Sequence, residues 1–218
     1  MNILHIDSSI LGEHSVSRRL TAAVVAQIKA EQPAASVTYR DLVSNPLPHL
    51  SGAHLMAANA NPADVDAQVA ADVAESAVVL EEFLAADTVV LEEFLAADTV
   101  VLGVPMYNFS LPSQLKAWID RVAVAGKTFR YTAEGPEGLA TGKKVIVIST
   151  RGGHYSAGPA AVMDHQESYL LAVLGFFGIT DIEIVRAEGL NLSADSKIEA
   201  ISEAERSIST RASLKVAS

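Results

Sequence analysis

Short apolar runs recur along the chain, and longer stretches of mixed polar and apolar residues separate them. Runs of about four to eight residues that are rich in β-branched and other apolar side chains are typical of buried β-strands. Five strands are predicted on this basis, at residues 3–6, 36–40, 99–104, 144–150 and 181–185. The distance between successive runs leaves room for a helix or a long loop in each connection.

The stretches between the predicted strands carry apolar residues every three or four positions, which is the spacing of amphipathic helices. Leu20, Val24 and Ile28 show this spacing within a helix predicted at residues 17–30. Further helices are predicted at residues 62–98, 111–124, 159–177 and 193–208. Because strands alternate with helices, we expect an α/β protein: one flavodoxin-like domain with a doubly wound five-stranded parallel sheet and helices on both faces.

An eleven-residue segment occurs twice in tandem, at residues 78–88 and 89–99. Eleven residues turn a helix through three turns plus about 20°, so the apolar face stays nearly in phase. We therefore expect the repeat to lengthen the helix before the third strand by about 16 Å. Residues 88–91 would then be helical, and 99–104 would keep the strand, because only the second copy leads into Pro105. A natural duplication, an engineered one and a sequence-assembly error all remain open.

Composition narrows the classes of function. The 218 residues include 26 acidic and 16 basic side chains, for a net charge of −10, which argues against nucleic acid as a partner. The absence of cysteine excludes disulfides, thiolate nucleophiles and cysteine metal sites. His49 and His54 lack the spacing of metal ligands, so no metal is expected. Without a signal-peptide pattern or a long apolar stretch, we expect a soluble cytoplasmic protein with no membrane partner.

Three predicted loops, after strands one, three and four, carry groups that suit a ligand. In residues 7–19, Ser15 and Ser17 stand at a helix start, where hydroxyl and N–H groups either cap the helix or bind a phosphate. In residues 106–109, an asparagine lies between two aromatic residues. In residues 150–158, two adjacent glycines let the backbone approach a ligand closely.

The predicted fold gathers these loops, because the carboxyl ends of parallel strands meet at one edge of the sheet. A hydroxyl-lined phosphate site, an aromatic loop and a glycine loop at a shared edge indicate a site for flavin mononucleotide (FMN). The chain has no glycine-rich dinucleotide turn and no Walker-type phosphate loop, which disfavours other nucleotide sites.

Several motifs occur in a specific order that is similar to a known family. They are Ser15-Val-Ser17, Pro105-Met-Tyr-Asn-Phe109, Ala125-Gly-Lys-Thr-Phe-Arg-Tyr131, Gly135-Pro-Glu-Gly-Leu139, Arg151-Gly-Gly153 and Leu174-Gly-Phe-Phe-Gly-Ile179. On these motifs the chain resembles the FMN-dependent NADH-azoreductase family of the flavodoxin-like quinone reductases. The resemblance covers nearly the whole chain apart from the duplicated eleven residues.

The resemblance implies a set of site residues. FMN would be bound by Ser9, Ser15, Val16, Ser17, Met106, Tyr107, Asn108, Phe109, Thr150, Arg151, Gly152 and Gly153. The nicotinamide and acceptor side would be lined by Tyr131, Phe176 and Phe177. Thr150 stands where the family often has serine, which keeps the hydroxyl group.

The family also implies an activity. We expect an NADH:quinone oxidoreductase that also cleaves aromatic azo compounds, in which NADH and the acceptor react in turn with the flavin, and which forms a homodimer. No protein side chain needs to act as a nucleophile, because the cofactor carries the chemistry. The alternative is a flavodoxin-like electron carrier without a substrate pocket. The long irregular segment 126–142, with Phe129 and Tyr131, favours the enzyme.

Overall fold

The computed structural model of the chain describes residues 1–50 and 88–215. Within these residues, five strands form the main sheet: β1 (Asn2–Asp7), β2 (Ser36–Asp41), β3 (Thr99–Pro105), β6 (Lys144–Thr150) and β7 (Asp181–Ala187). All of them are parallel, and their order is β2-β1-β3-β6-β7. The predicted doubly wound five-stranded parallel sheet is therefore confirmed.

Helices cover both faces of this sheet. They are α1 (Val16–Glu31), α2 (88–96), α3 (Ser113–Val122), α4 (Glu167–Phe176) and α5 (Ala194–Lys215). The helix predicted at 159–177 begins later than expected, because Pro159–Met163 forms a 3₁₀ turn. Asp164 then ends that turn and accepts hydrogen bonds from the N–H groups of Gln166 and Glu167, which starts α4.

The core has two layers because side chains alternate across the pleated strands. In β1, Ile3 joins the layer formed with α1 and α5, whereas its neighbour Leu4 joins the layer formed with α2, α3 and α4. The second layer is the larger, and it contains the fully buried rings of Phe94 and Trp118, which meet edge to face. Both faces of the sheet are thus buried, as in other doubly wound domains.

The segment predicted to be irregular contains a two-stranded antiparallel ribbon, β4 (Phe129–Thr132) and β5 (Gly135–Gly138). Its glycines and proline disguised the strand pattern in the sequence. Gly138 is required at its position, because a Cβ there would lie 2.1 Å from the backbone nitrogen of Gly178. The ribbon is therefore held against the end of α4 by direct backbone packing.

The second copy of the repeat forms most of α2 and ends at the first residue of β3. Residues 88–96 are helical and Thr99–Pro105 forms β3, as expected for the two copies. Apart from Thr88, the first copy lies outside the described residues, as does most of the helix predicted at 62–98. The lengthening of that helix stays a prediction.

Candidate functional site

The carboxyl ends of β1, β3 and β6 lie side by side in the sheet. Asp7 at the end of β1 pairs with Gly103, and Pro105 at the end of β3 pairs with Thr150 at the end of β6. The strand order reverses direction at β1 and β3, and such switch points are where open α/β sheets bind ligands. The structure thus brings the three predicted loops to one edge.

The first loop ends in two buried serines at the start of α1. Ser15 Oγ accepts a hydrogen bond from the N–H of Arg18 at 3.3 Å, which caps the helix, and it lies 3.0 Å from Ser17 Oγ. The first N–H groups of a helix have no partner within the helix, and they carry the positive end of its dipole. Two hydroxyls beside such N–H groups form a site that suits a phosphate.

The arginine next to these serines has a different role from the one its charge suggests. The Arg18 guanidinium donates to both carboxylate oxygens of Asp41, at 2.7 and 2.8 Å, and to the carbonyl of Ser9 at 3.0 Å. Hydrogen bonds from Arg18 hold the pKa of Asp41 well below its usual range, despite the opposing effect of burial. The pair fixes the path of the first loop.

A pH prediction follows from the Arg18–Asp41 pair. Because the folded-state pKa of Asp41 is lowered, its stabilising effect is complete above about pH 4 and is lost as the pH falls below that value. We expect Asp41→Asn to lower the free energy of unfolding at pH 7 and to make its decline below about pH 4 less steep. Urea unfolding between pH 3 and 7 measures both effects. Asp181→Asn is the control, because the Asp181 carboxylate is 63% exposed; equal pH slopes for the two variants would contradict the prediction.

The second loop has an unusual backbone. Asn108 and Phe109 both have positive φ angles, of 48° and 70°, which is uncommon for residues other than glycine. The loop is closed by mutual N–H to carbonyl hydrogen bonds between Tyr107 and Ser110. Within the described part of the chain, the N–H groups of Asn108 and Phe109 have no hydrogen-bond partner. Strained backbone with unpaired donors is a common feature of binding sites.

Tyr107 joins the first two loops. Its hydroxyl lies 3.3 Å from Ser9 Oγ and accepts a hydrogen bond from the N–H of Ile10 at 3.2 Å. Ser9 itself is 1% exposed. The two loops therefore form one continuous wall.

In the third loop, the carbonyls of two adjacent glycines are hydrogen-bonded, whereas their N–H groups are unpaired among the described residues. The carbonyls of Gly152 and Gly153 accept hydrogen bonds from the N–H groups of Asn191 and Gly189, each at 3.0 Å. Among the residues described, neither glycine N–H has an acceptor. A Cβ at Gly152 would lie 2.7 Å from the Asn191 side chain. The loop can thus offer two N–H donors to a ligand's carbonyl groups.

Some predicted residues are arranged differently from the expectation. The Arg151 side chain has no exposed surface, and it forms ion pairs with Asp164, Glu167 and Glu188. The predicted contact of Arg151 with FMN stays a prediction, and it would involve the backbone in the third loop, because the carboxylates occupy the guanidinium. The carboxylates that bind it lie far along the sequence, and no local motif indicated them.

The three predicted acceptor-side residues lie away from this edge within one chain. Helix α4 begins near the loops, where the N–H of His165 donates to the Phe109 carbonyl, and runs to the opposite edge, where β7 starts. Phe177 at that far end is 1% exposed and belongs to the core. A ring buried in its own core cannot line a pocket, so we correct that assignment. Phe176 packs on Phe129, and Tyr131 is 76% exposed on the ribbon.

A cavity of about 690 Å³ opens beside the second loop. It is lined by Ser110, Leu111, Lys116, His165 and Tyr169, among others. Its volume is in the range of small-molecule sites. The described residues contain no group of three His, Asp or Glu side chains that could hold a metal, and none of the described helices is long and apolar enough to cross a membrane. The arrangement suits a ligand with a phosphate at one end and a flat polar ring at the other.

Curated proteins similar to this chain cover its full length. An "FMN-dependent NADH:quinone oxidoreductase" of Sinorhizobium fredii (strain NBRC 101917 / NGR234) is 67% identical over 221 aligned residues, which cover 100% of both chains. A protein of the same name from Rhizobium meliloti (strain 1021) is 65% identical, again over 100% of both.

Solved structures agree in fold. The azoreductase from Bacillus anthracis str. Sterne has a TM-score of 0.82 and 31% identity, and the match covers 97% of this chain and 98% of that one. An FMN-dependent NADH-azoreductase from Bacillus anthracis str. Ames Ancestor, solved in complex with FMN, has a TM-score of 0.80 and 25% identity, with 97% and 99% coverage.

A family model described as "Flavodoxin-like fold" matches residues 1–92 and 90–212. The two matches overlap at residues 90–92, inside the second copy of the repeat. The chain therefore belongs to the flavodoxin-like family of the FMN-dependent NADH:quinone oxidoreductases.

Proposed function

We propose that this chain is an enzyme that binds FMN and transfers electrons from NADH to a quinone. The names of the relatives at 65% and 67% identity support this activity. The structural observation that carries it is the meeting of the buried Ser15–Ser17 hydroxyl pair and two loops with unpaired N–H donors at one edge of the sheet. That combination suits both ends of FMN.

In this proposal the loops divide the work of binding. The phosphate would be held by Ser9, Ser15, Val16 and Ser17, and the ring by residues 106–109 and 150–153. The N–H groups of Gly152 and Gly153 would donate to the polar edge of the ring and stabilise negative charge there, as oxyanion-hole donors do. When bound, FMN supplies the two-electron redox chemistry, and the chain supplies orientation and electrostatics.

We further propose that aromatic azo compounds are also accepted, and that NADH leaves before the acceptor binds on the same side of the ring. The proposed azo activity rests on the similarity of this chain to the two azoreductase structures. A shared site for donor and acceptor predicts parallel lines in double-reciprocal plots of initial rate. Intersecting lines would contradict this order of binding.

A homodimer completes the proposal. Tyr131 is exposed on the ribbon and lies away from the loops of its own chain, so it is available to a second copy. Phe176 is half-buried and adds surface for such contact, whereas the apolar side chains of α3 are buried in the core of their own chain. A mass measurement in solution distinguishes one copy from two.

The decisive experiment records the visible spectrum of the purified protein before and after anaerobic addition of NADH. We expect a yellow protein that is bleached by NADH and regains its colour when a quinone is added. A flavodoxin-like electron carrier would bind FMN but stay yellow with NADH. A colourless chain that fails to take up added FMN would refute the proposal.

A further inference from the structure

We infer that Arg151 is a positioning residue. Its side chain holds the second loop (residues 106–109, the aromatic loop) and the third loop (residues 150–158, the glycine loop) in register for the flavin ring without touching the ring. The inference rests on the proposed FMN site and concerns how that site is held. It starts from an unusual feature of the described chain: a fully buried guanidinium surrounded by three carboxylates at the base of the site.

The guanidinium contacts several elements at once. Its Nη2 lies 2.9 Å from a carboxylate oxygen of Asp164 and also contacts Glu167, and its Nη1 lies 3.2 Å from Glu188. Its Nε donates to Ser149 Oγ at 3.0 Å and to Gln166 Oε1 at 3.1 Å. A buried ion cluster of this kind contributes little net stability compared with apolar packing, so its geometry is the more informative property.

One arm of the cluster reaches the glycine loop. Glu188 Oε1, which binds Arg151, also accepts hydrogen bonds from the N–H groups of Tyr155 at 2.8 Å and Ser156 at 3.0 Å. The Ser156 hydroxyl donates to the other oxygen of the same carboxylate. Glu188 therefore fixes the far end of the loop, while Arg151 fixes its start. Gly152 and Gly153 lie between these two points.

The other arm reaches the aromatic loop. Gln166, which accepts from Arg151, donates through Nε2 to the carbonyl of Val104 in β3 at 2.9 Å. The preceding residue, His165, donates its N–H to the carbonyl of Phe109 at 3.0 Å. Phe109 has a positive φ angle, so its conformation needs support from its surroundings. The segment that binds Arg151 provides that support.

A lysine at position 151 could not make the same set of contacts. The guanidinium is a planar group with five donors in a fixed arrangement, whereas the lysine ammonium is a compact charge with three. Arg151→Lys keeps the charge among the carboxylates but loses the simultaneous bridging of Gln166, Glu188 and Asp164. The substitution thus separates geometry from charge.

The test compares three variants of the full chain: Arg151→Lys, Glu188→Gln and Arg186→Gln. Arg186 is the matched control, because it pairs with the same Glu167 but is 44% exposed and, among the described residues, forms no hydrogen bond or ion pair with either loop. We measure the dissociation constants of FMN and riboflavin, and the spectrum and midpoint potential of the bound flavin at saturation. Saturation removes any effect of a smaller folded fraction.

For Arg151→Lys we expect both flavins to bind about tenfold more weakly, since supporting contacts set the precision of a site. Their affinity ratio should stay constant, because the phosphate end is unaffected. The midpoint potential should become more negative, as the N–H donors to the reduced ring are displaced. Glu188→Gln should shift the same values by a smaller amount, and it keeps the test valid if Arg151→Lys fails to fold.

Wild-type affinity, spectrum and potential at saturation in both variants would overturn the inference and leave Arg151 a purely structural residue. An altered affinity for FMN but not for riboflavin would also overturn it. Failure of the wild-type chain to bind any flavin would instead refute the proposed function. The two failures are therefore distinguishable.

Discussion

Ser15→Asp is expected to weaken FMN binding by a factor of about 100 or more while leaving the fold intact. Aspartate caps helices as well as serine does, so it keeps the hydrogen bond to the N–H of Arg18. It also adds a negative charge beside the proposed phosphate position. Two unit charges about 4 Å apart at an effective dielectric constant of 20 repel each other by about 4 kcal/mol, which corresponds to roughly 1,000-fold.

The control for this variant is Ser15→Asn, which has the same shape and capping ability but no charge. We expect it to bind FMN within about threefold of the wild type. Riboflavin, which lacks the phosphate, should bind equally well to both variants. Fluorescence titration with each flavin measures all four constants. Equal loss of both flavins in Ser15→Asp would show that the phosphate lies elsewhere.

Gly138→Ala is expected to cause the largest loss of stability. The new Cβ would lie 2.1 Å from the nitrogen of Gly178 and 2.3 Å from the carbonyl carbon of Phe177. Both atoms belong to the backbone, so no flexible side chain can move aside. We expect the free energy of unfolding to fall by about 3 kcal/mol or more. In a chain of this size that loss corresponds to a decrease in Tm of about 6–12 °C.

Gly175→Ala is the matched control, because it lies in α4 three residues from Gly178 and its Cβ would meet no atom within 4 Å. Alanine is favoured over glycine in a helix by about 1 kcal/mol, so this variant should be slightly more stable than the wild type. Thermal unfolding of the two variants should therefore move in opposite directions. A wild-type Tm for Gly138→Ala would contradict the close approach of the ribbon and α4.

The parts of the fold that the sequence predicted are those with a local signal. The β-branched run at Lys144–Thr150 and the apolar spacing within α1 each identify one element without reference to the rest of the chain. The ribbon escaped prediction because Gly135 and Pro136 are usually found in turns. Its strands are stabilised by packing on Gly178, a contact between residues distant in sequence.

The residues of the site also divide into those with a local sequence signal and those that depend on long-range contacts. Ser15 and Ser17 were identifiable because capping residues occupy a fixed position relative to a helix start. The burial of the Arg151 guanidinium in an ion cluster could not be predicted, because the neighbouring sequence does not indicate its partners. Its three carboxylate partners come from α4, its preceding turn and the residue after β7, and only the folded chain brings them together. Long-range charge pairing leaves no pattern in a single sequence.

Gly103 gives the tandem repeat a further significance. Each copy ends in a threonine that is followed by Val-Val-Leu, so the chain has two candidates for the start of the central strand. If the first candidate were used, Glu92 would stand where Gly103 does. Even a Cβ at that place would lie 2.6 Å from the buried carboxylate of Asp7. Pairing of the first candidate as the central strand is thus disfavoured by a steric clash with Asp7. The glycine at position 103 therefore selects the second candidate, although the two begin with the same four residues.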